Sequence, residues 1–271
     1  MNRRKFLKTV AVGTVSLQVP GLQAAQKRLD EEAIKDYLFR IRNPDLHHDG
    51  DVVTDSRVKA TLKRVNRRLL NVRRVVGFGN FNVVSFDEMI KYSRRYSKIG
   101  KFSRDELDLL ESIFYQDASR YGFYGEKPLG EITQRIDRRE VIKIPRSGHY
   151  LFAGEPLKLY ERVREEVGGS LVLTSGVRNV VKQMQLFVSK ADRADGNLSL
   201  ASRSLAPPGY SFHGVGDFDV GIKGWGARNF TDDFATTDEF KKLLDLGYID
   251  IRYPADNRLG VRFEPWHIKV S

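Results

Sequence analysis

The sequence contains no cysteine. Disulfides, a thiol nucleophile, a thiolate zinc cluster and a lipid anchor on cysteine are therefore excluded, and any metal site must draw on His, Asp and Glu. Long hydrophobic runs are missing as well. The most apolar stretch, within residues 9–25, is interrupted by Gly13, Ser16, Gln18 and Pro20 and falls short of the roughly 18–20 residues that span a bilayer. That excludes a multi-pass membrane protein. Repeats and low-complexity segments are also absent. What is present, 41% hydrophobic and 30% charged residues, is the composition of a globular chain.

Charge is unequal in sign: 46 Lys and Arg stand against 35 Asp and Glu, a net +11. Part of the excess lies in Asn2-Arg3-Arg4-Lys5-Phe6-Leu7-Lys8, which precedes a moderately apolar segment, Thr9 to Val19, and then Pro20 and Gln23-Ala24-Ala25. Paired arginines, weak hydrophobicity and small residues in this order resemble a twin-arginine export signal, so residues 1–25 are read as a signal peptide and the protein as periplasmic or extracellular. Its removal takes away Arg3, Arg4, Lys5 and Lys8 and no acid. The mature chain stays positive, without a transmembrane segment, and is drawn to anionic polymers such as cell wall or nucleic acid. From Arg57 to Arg74, basic residues alternate with Val58, Leu62, Val65, Leu69, Leu70 and Val72 at helical spacing. With no aromatic platform interleaved, this stretch reads as the solvated face of a helix, and no nucleic-acid partner is expected.

Residues 26–145 read as a mainly helical region. Ser85-Phe86-Asp87-Glu88 and Ser103-Arg104-Asp105-Glu106 are capping boxes, and Tyr121 to Pro128 breaks the pattern. Residues 146–271 are mixed. Pro156 opens a helix that Gly168-Gly169 ends, Ser170 to Thr174 reads as a strand, and Asn179 to Ala191 reads as a helix. Over 216–222, Phe218, Val220 and Ile222 alternate with Asp217 and Asp219, which puts two carboxylates on one face of a strand. Thr236-Thr237-Asp238-Glu239 caps a further helix closed by Gly247, and strands are expected at Tyr248–Tyr253 and Gly260–Val270.

Histidine is scarce, five in all, and His213 and His267 share a region with Asp217, Asp219 and Glu264. Two imidazoles, a carboxylate and an open water position suffice for a catalytic zinc, and a carboxylate beside the metal can serve as general base. Taken alone, two histidines 54 residues apart fit buried, hydrogen-bonded side chains better than a metal site. His47-His48 with Asp45, Asp49 and Asp51 reads as polar loop, and His149 is left without a role.

Longer motifs narrow the choice. Ala206-Pro207-Pro208-Gly209-Tyr210-Ser211-Phe212-His213-Gly214-Val215-Gly216 with Asp219 resembles the P-G-x-S-x-H-x-x-G…D block of the VanY and VanX type zinc D-alanyl-D-alanine carboxypeptidases. Glu264-Pro265-Trp266-His267 is similar to their E-P-W-H block. Ser175-Gly176-Val177-Arg178 with Gln183, and Leu246-Gly247-Tyr248 with Arg252-Tyr253-Pro254, resemble two further blocks in the same order. The resemblance implies zinc held by His213, Asp219 and His267. It further implies Glu264 as base, Arg178 as the cation near the scissile carbonyl, and Gln183, Ser211 and Trp266 around the substrate. The family spaces its aspartate seven residues after the first histidine, whereas Asp219 lies six after His213, and Asp217 is kept as the second candidate. Glu264 and His267, an odd number apart, would face opposite ways on a straight strand, so Pro265 is expected to mark a bend.

The expected fold is α+β, a small antiparallel sheet with flanking helices preceded by the helical region. The implied function is that of an exported zinc peptidase cutting D-amino-acid-containing bonds of peptidoglycan stem peptides, as carboxypeptidase or endopeptidase. The alternative is a non-catalytic, zinc-containing cell-wall-binding module, against which Glu264 speaks.

Overall fold

The computed structural model describes residues 32–271; the export signal read at residues 1–25 lies outside them. The chain divides into two units, residues 1–39 and 40–271. In the first, residues 32–39 are helical. All that follows concerns the second.

Helix α1 (Ser56–Val76) starts where the Asp55 carboxylate accepts the Val58 amide and stops at Gly77, whose φ of 87° suits glycine. Its buried stripe is Thr61, Leu62, Val65, Leu69 and Val72. A one-turn helix α2 (Phe78–Phe81) follows, then α3 (Phe86–Arg95) and α4 (Arg104–Tyr115), both opened by the expected capping boxes at Ser85 and Ser103. The basic face of α1 is not wholly solvated. Arg68 Nε lies 2.7 Å from the fully buried Glu106, which also accepts the Ser103 amide at 2.8 Å, and Arg64 pairs with Asp105. Basic residues of α1 thus dock α4.

A hairpin of β1 (Val141–Lys143) and β2 (Tyr150–Phe152) leads into α5 (Glu155–Val167), whose first turn holds Pro156. Next come β3 (Leu171–Ser175), α6 (Val180–Arg193), α7 (Leu198–Ser204) and β4 (Phe218–Ile222), then α8 (Asp238–Asp245), β5 (Asp250–Ile251) and β6 (His267–Lys269). The main sheet is antiparallel in the order β3-β4-β6-β5. The molecule is α+β, as expected. The two C-terminal strands are much shorter than the sequence suggested. Glu264 N bonds to Tyr253 O and Arg262 N to Arg203 O, so most of 253–264 finds its partners outside a ladder, and Pro254 and Pro265 can donate to none.

Two apolar clusters hold this unit together. In one, α1, α3 and α4 pack with Val180, Val181, Met184, Phe187 and Val188 of α6. In the other, Leu159, Tyr160 and Val163 of α5 meet Leu171, Leu173, Phe218, Val220 and Ile268 of the sheet and Phe240 and Leu243 of α8. The expected boundary near residue 145 falls within the second unit. Among the described residues no helix is long and apolar enough to cross a membrane.

Candidate metal centre

Strand alternation sends Phe218 and Val220 into the core, so Asp219 between them faces the other way. The register sets Asp219 opposite His267 on β6 and opposite Ser175 on β3, where one extra residue bulges the strand between Leu173 and Ser175. His213 enters from a 3₁₀ turn, Phe212–Gly214, whose His213 carbonyl accepts the Arg178 amide. Pro265 and Trp266 form a turn that closes with a bond from His267 N to Glu264 O, and this bend brings Glu264 beside His267.

One ligand atom each from His213, Asp219 and His267 lies within 4.8 Å of the others, and all three residues are buried. His213 Nδ1 is 2.8 Å from the carbonyl of Gly176, which can only accept, so Nδ1 carries the proton and Nε2 presents a lone pair. Gly176 is required there: a Cβ would fall 2.0 Å from the Tyr150 carbonyl. His213 Nε2 faces Asp219 Oδ1 at 3.2 Å, and neither atom has a hydrogen-bond partner although both are buried. His267 Nδ1 stands 3.7 Å from the same oxygen and 3.1 Å from Glu264 Oε2. Buried acceptors facing one another without a donor are costly, and a cation among them removes the cost. The donor set fits a divalent metal that takes nitrogen and oxygen ligands.

The groups behind these atoms fix their directions. Asp219 accepts from the Arg178 guanidinium at its other oxygen, Oδ2, over 2.5 Å, and Arg178 Nε donates to Ser175 Oγ at 2.8 Å. Asp217 precedes β4 and reaches the far side of the His267 ring, 3.1 Å from Nε2. It also takes Arg252 Nε at 2.7 Å and the Val270 amide at 2.9 Å. The two aspartates therefore flank one imidazole. Tyr253 packs edge-on against that ring, with centroids 5.2 Å apart.

Burial, with the Arg178 charge, pushes His213 down to about 4 and keeps it neutral. Burial is also the largest single influence on His267 and opposes its protonation, but hydrogen bonds to Asp217 and Glu264 outweigh it and raise the group to about 9. For Asp219 burial opposes ionisation, yet its imidazole neighbour His213 and the Arg178 charge hold the carboxyl well below the usual range.

A cleft of about 280 Å³ opens beside these residues. Of the residues singled out from the sequence, Arg178, Asp219, Glu264 and Trp266 line it. Gln183 and Ser211 do not. Gln183 is buried with its amide on the Ala206 carbonyl at 2.5 Å, and Ser211 is buried ahead of the His213 turn. The cleft also takes in Phe78, Lys182 and Arg262, which sequence reasoning passed over, and His149, which it left without a role.

Residues 154–270 match the family model of VanY, D-alanyl-D-alanine carboxypeptidase. Over this segment the chain is similar to the VanY-like metallopeptidases. All the motif residues fall within it, whereas Phe78 and His149 precede it, so the VanY-like segment does not furnish the whole cleft. Among solved structures, the chain is similar to a variant of vancomycin resistance D,D-pentapeptidase VanY from the VanB-type resistance cassette in complex with Zn(II). That match has 21% identity over 55% of this chain and 87% of that one, with a TM-score of 0.37. It is also similar to VanYB in complex with D-alanine-D-alanine, at 20% identity over 55% and 84%, with a TM-score of 0.38. No curated protein matches the chain.

Proposed function

We propose that this VanY-like protein is an exported zinc peptidase that hydrolyses D-amino-acid-containing amide bonds of peptidoglycan stem peptides. The observation that carries the reading is the convergence of His213 Nε2 and Asp219 Oδ1, buried and without donors, on the Nδ1 side of His267. The match of residues 154–270 to a D-alanyl-D-alanine carboxypeptidase family model agrees with it.

His213, Asp219 and His267 would hold the zinc, with Asp217 fixing the His267 ring from behind as an outer carboxylate. Bound zinc supplies Lewis acidity and lowers the pKa of its water. Glu264, whose Oε2 sits beside His267, takes the proton from the attacking water and returns it to the leaving amine. Arg178, steered by Ser175 and Asp219, lends positive charge to the oxyanion that forms at the scissile carbonyl. The twin-arginine-like segment supports export, and the positive charge of the chain suits an anionic wall.

The deciding experiment is mass spectrometry of purified muropeptides after incubation with the protein, with and without chelator. Loss of a terminal D-residue, or scission of a cross-link, that chelator abolishes and zinc restores is the expected result. Muropeptides left intact by zinc-loaded protein would reject the peptidase reading in favour of wall binding without turnover.

A further inference from the structure

Lys182 is the anomaly of the cleft. It lies in the first turn of α6, where the helix dipole disfavours a cation, and only 7% of it is exposed. Its ammonium has no hydrogen bond and no carboxylate partner among the described residues; its contacts are the rings of Phe78 and Phe81, 5.5 and 5.8 Å away. The carboxylates of the cleft are committed elsewhere, Asp219 to Arg178 and the imidazoles, Glu264 to His267. Burial, with the charges of Arg178 and Arg73, lowers Lys182 to about 8. Apart from the two ring faces, which favour a cation, the local influences act against this charge, yet the residue lines the same cleft as Arg178 and Glu264. A buried cation of this kind is matched when an anion arrives.

We propose that Lys182 is a specificity-determining residue that binds a carboxylate of the peptide substrate in the cleft beside Arg178. The proposal rests on the peptidase reading for its substrate class. It also assigns the anion contact to a residue that lines the cleft, where Gln183 and Ser211 do not. The aromatic walls that Phe78 and Phe81 present to Lys182 keep the ammonium from being quenched by bulk water, which strengthens a charge-assisted contact.

The test uses the full chain loaded with zinc and three peptide probes: a D-Ala-D-Ala-terminated tripeptide as free acid, its C-terminal amide, and that amide with an added glutamate side chain. Binding is measured by calorimetry in a Glu264→Gln background, and KM and kcat in the Glu264 protein. The free acid should bind more tightly than the amide. Lys182→Met should weaken the free acid roughly 10- to 100-fold, raise KM more than it lowers kcat, and leave the amide little changed. Lys182→Arg should keep the preference. Should the preference follow the glutamate probe instead, the carboxylate read is a side chain and not the terminus. An unchanged acid-to-amide ratio in Lys182→Met overturns the proposal, as does a wild type that binds no probe. Lys182-dependent binding without hydrolysis would reject the peptidase reading alone, and hydrolysis with Lys182-independent selectivity would reject this proposal alone. Lys182→Gln serves the same comparison if the methionine variant fails to fold.

Discussion

Asp219 divides its two oxygens, Oδ2 accepting from Arg178 and Oδ1 facing the imidazoles, while the proposed base, Glu264, stands beside His267 Nδ1 as a separate carboxylate. Removing a ligand and removing the base should therefore have different signatures. His213→Ala, His267→Ala and Asp219→Ala are each expected to lose bound zinc, because a three-ligand site cannot spare one. Glu264→Gln should keep its zinc and its fold while hydrolysis falls by about 10²–10⁴. Asp217→Asn, which touches the His267 ring from behind, should weaken zinc by roughly 10- to 100-fold without abolishing it. Metal analysis against a competing chelator, together with turnover at matched zinc, checks the set; full zinc content in both histidine variants would sink the ligand assignment. These residues could be singled out in the sequence because their chemistry is rare in a chain with five histidines and no cysteine. Lys182 could not, since a lysine in an amphipathic helix is indistinguishable from any surface lysine until its neighbours are known.

Among the elements, α7 is anchored to the loop before α1 by a buried ion pair. Arg203 NH1 lies 2.7 Å from Asp51 Oδ1, and Asn197 Nδ2 is 2.7 Å from Asp51 Oδ2. Asp51→Asn would leave the Arg203 charge buried without its partner and should cost about 3–5 kcal/mol. Burial opposes ionisation of Asp51, but hydrogen bonds from Arg203 and Asn197 prevail and lower it to about 2. A carboxyl lowered on folding stabilises fully above its ordinary value near 3.8 and loses that contribution as the pH falls through about 2. Denaturant midpoints of wild type and variant should therefore differ at pH 7 and converge toward pH 2; a constant difference would remove the pair from the acid response. The sequence read this loop as polar, which its composition supports, but the pairing of positions so distant along the chain leaves no local trace. Capping boxes at Ser85 and Ser103 could be read directly because their partners lie three residues apart. The strands expected over 248–253 and 260–270 shrank because their extended backbone bonds to irregular loops instead of to each other.

For the second unit as a whole, the family match ends upstream at residue 154, but packing does not. Leu62, Leu69 and Phe86 share a cluster with Met184 and Phe187. Residues 146–271 made alone would expose the apolar face of α6 and are expected to lack cooperative unfolding by circular dichroism, whereas 40–271 should unfold in one transition. Phe187→Ala in the longer chain should cost about 3–5 kcal/mol. A stable, zinc-binding 146–271 fragment would contradict this account. The helical region is also a wall of the cleft, through Phe78.

The shared cluster also has a consequence in time. Helix α1 leaves the ribosome on the order of a hundred residues before α6, its packing partner. At roughly 5–20 residues per second the part of the Leu62, Val65 and Leu69 stripe that α6 covers, and α3 and α4 do not, waits on the order of 5–20 seconds for its partner. During synthesis that part is exposed apolar surface of the kind chaperones bind, and the cleft cannot form until the last third of the chain has emerged. Nascent protein stalled before α6 should therefore be bound by holdases and sensitive to protease, while released chains that include the cleft residues through Trp266 should be neither.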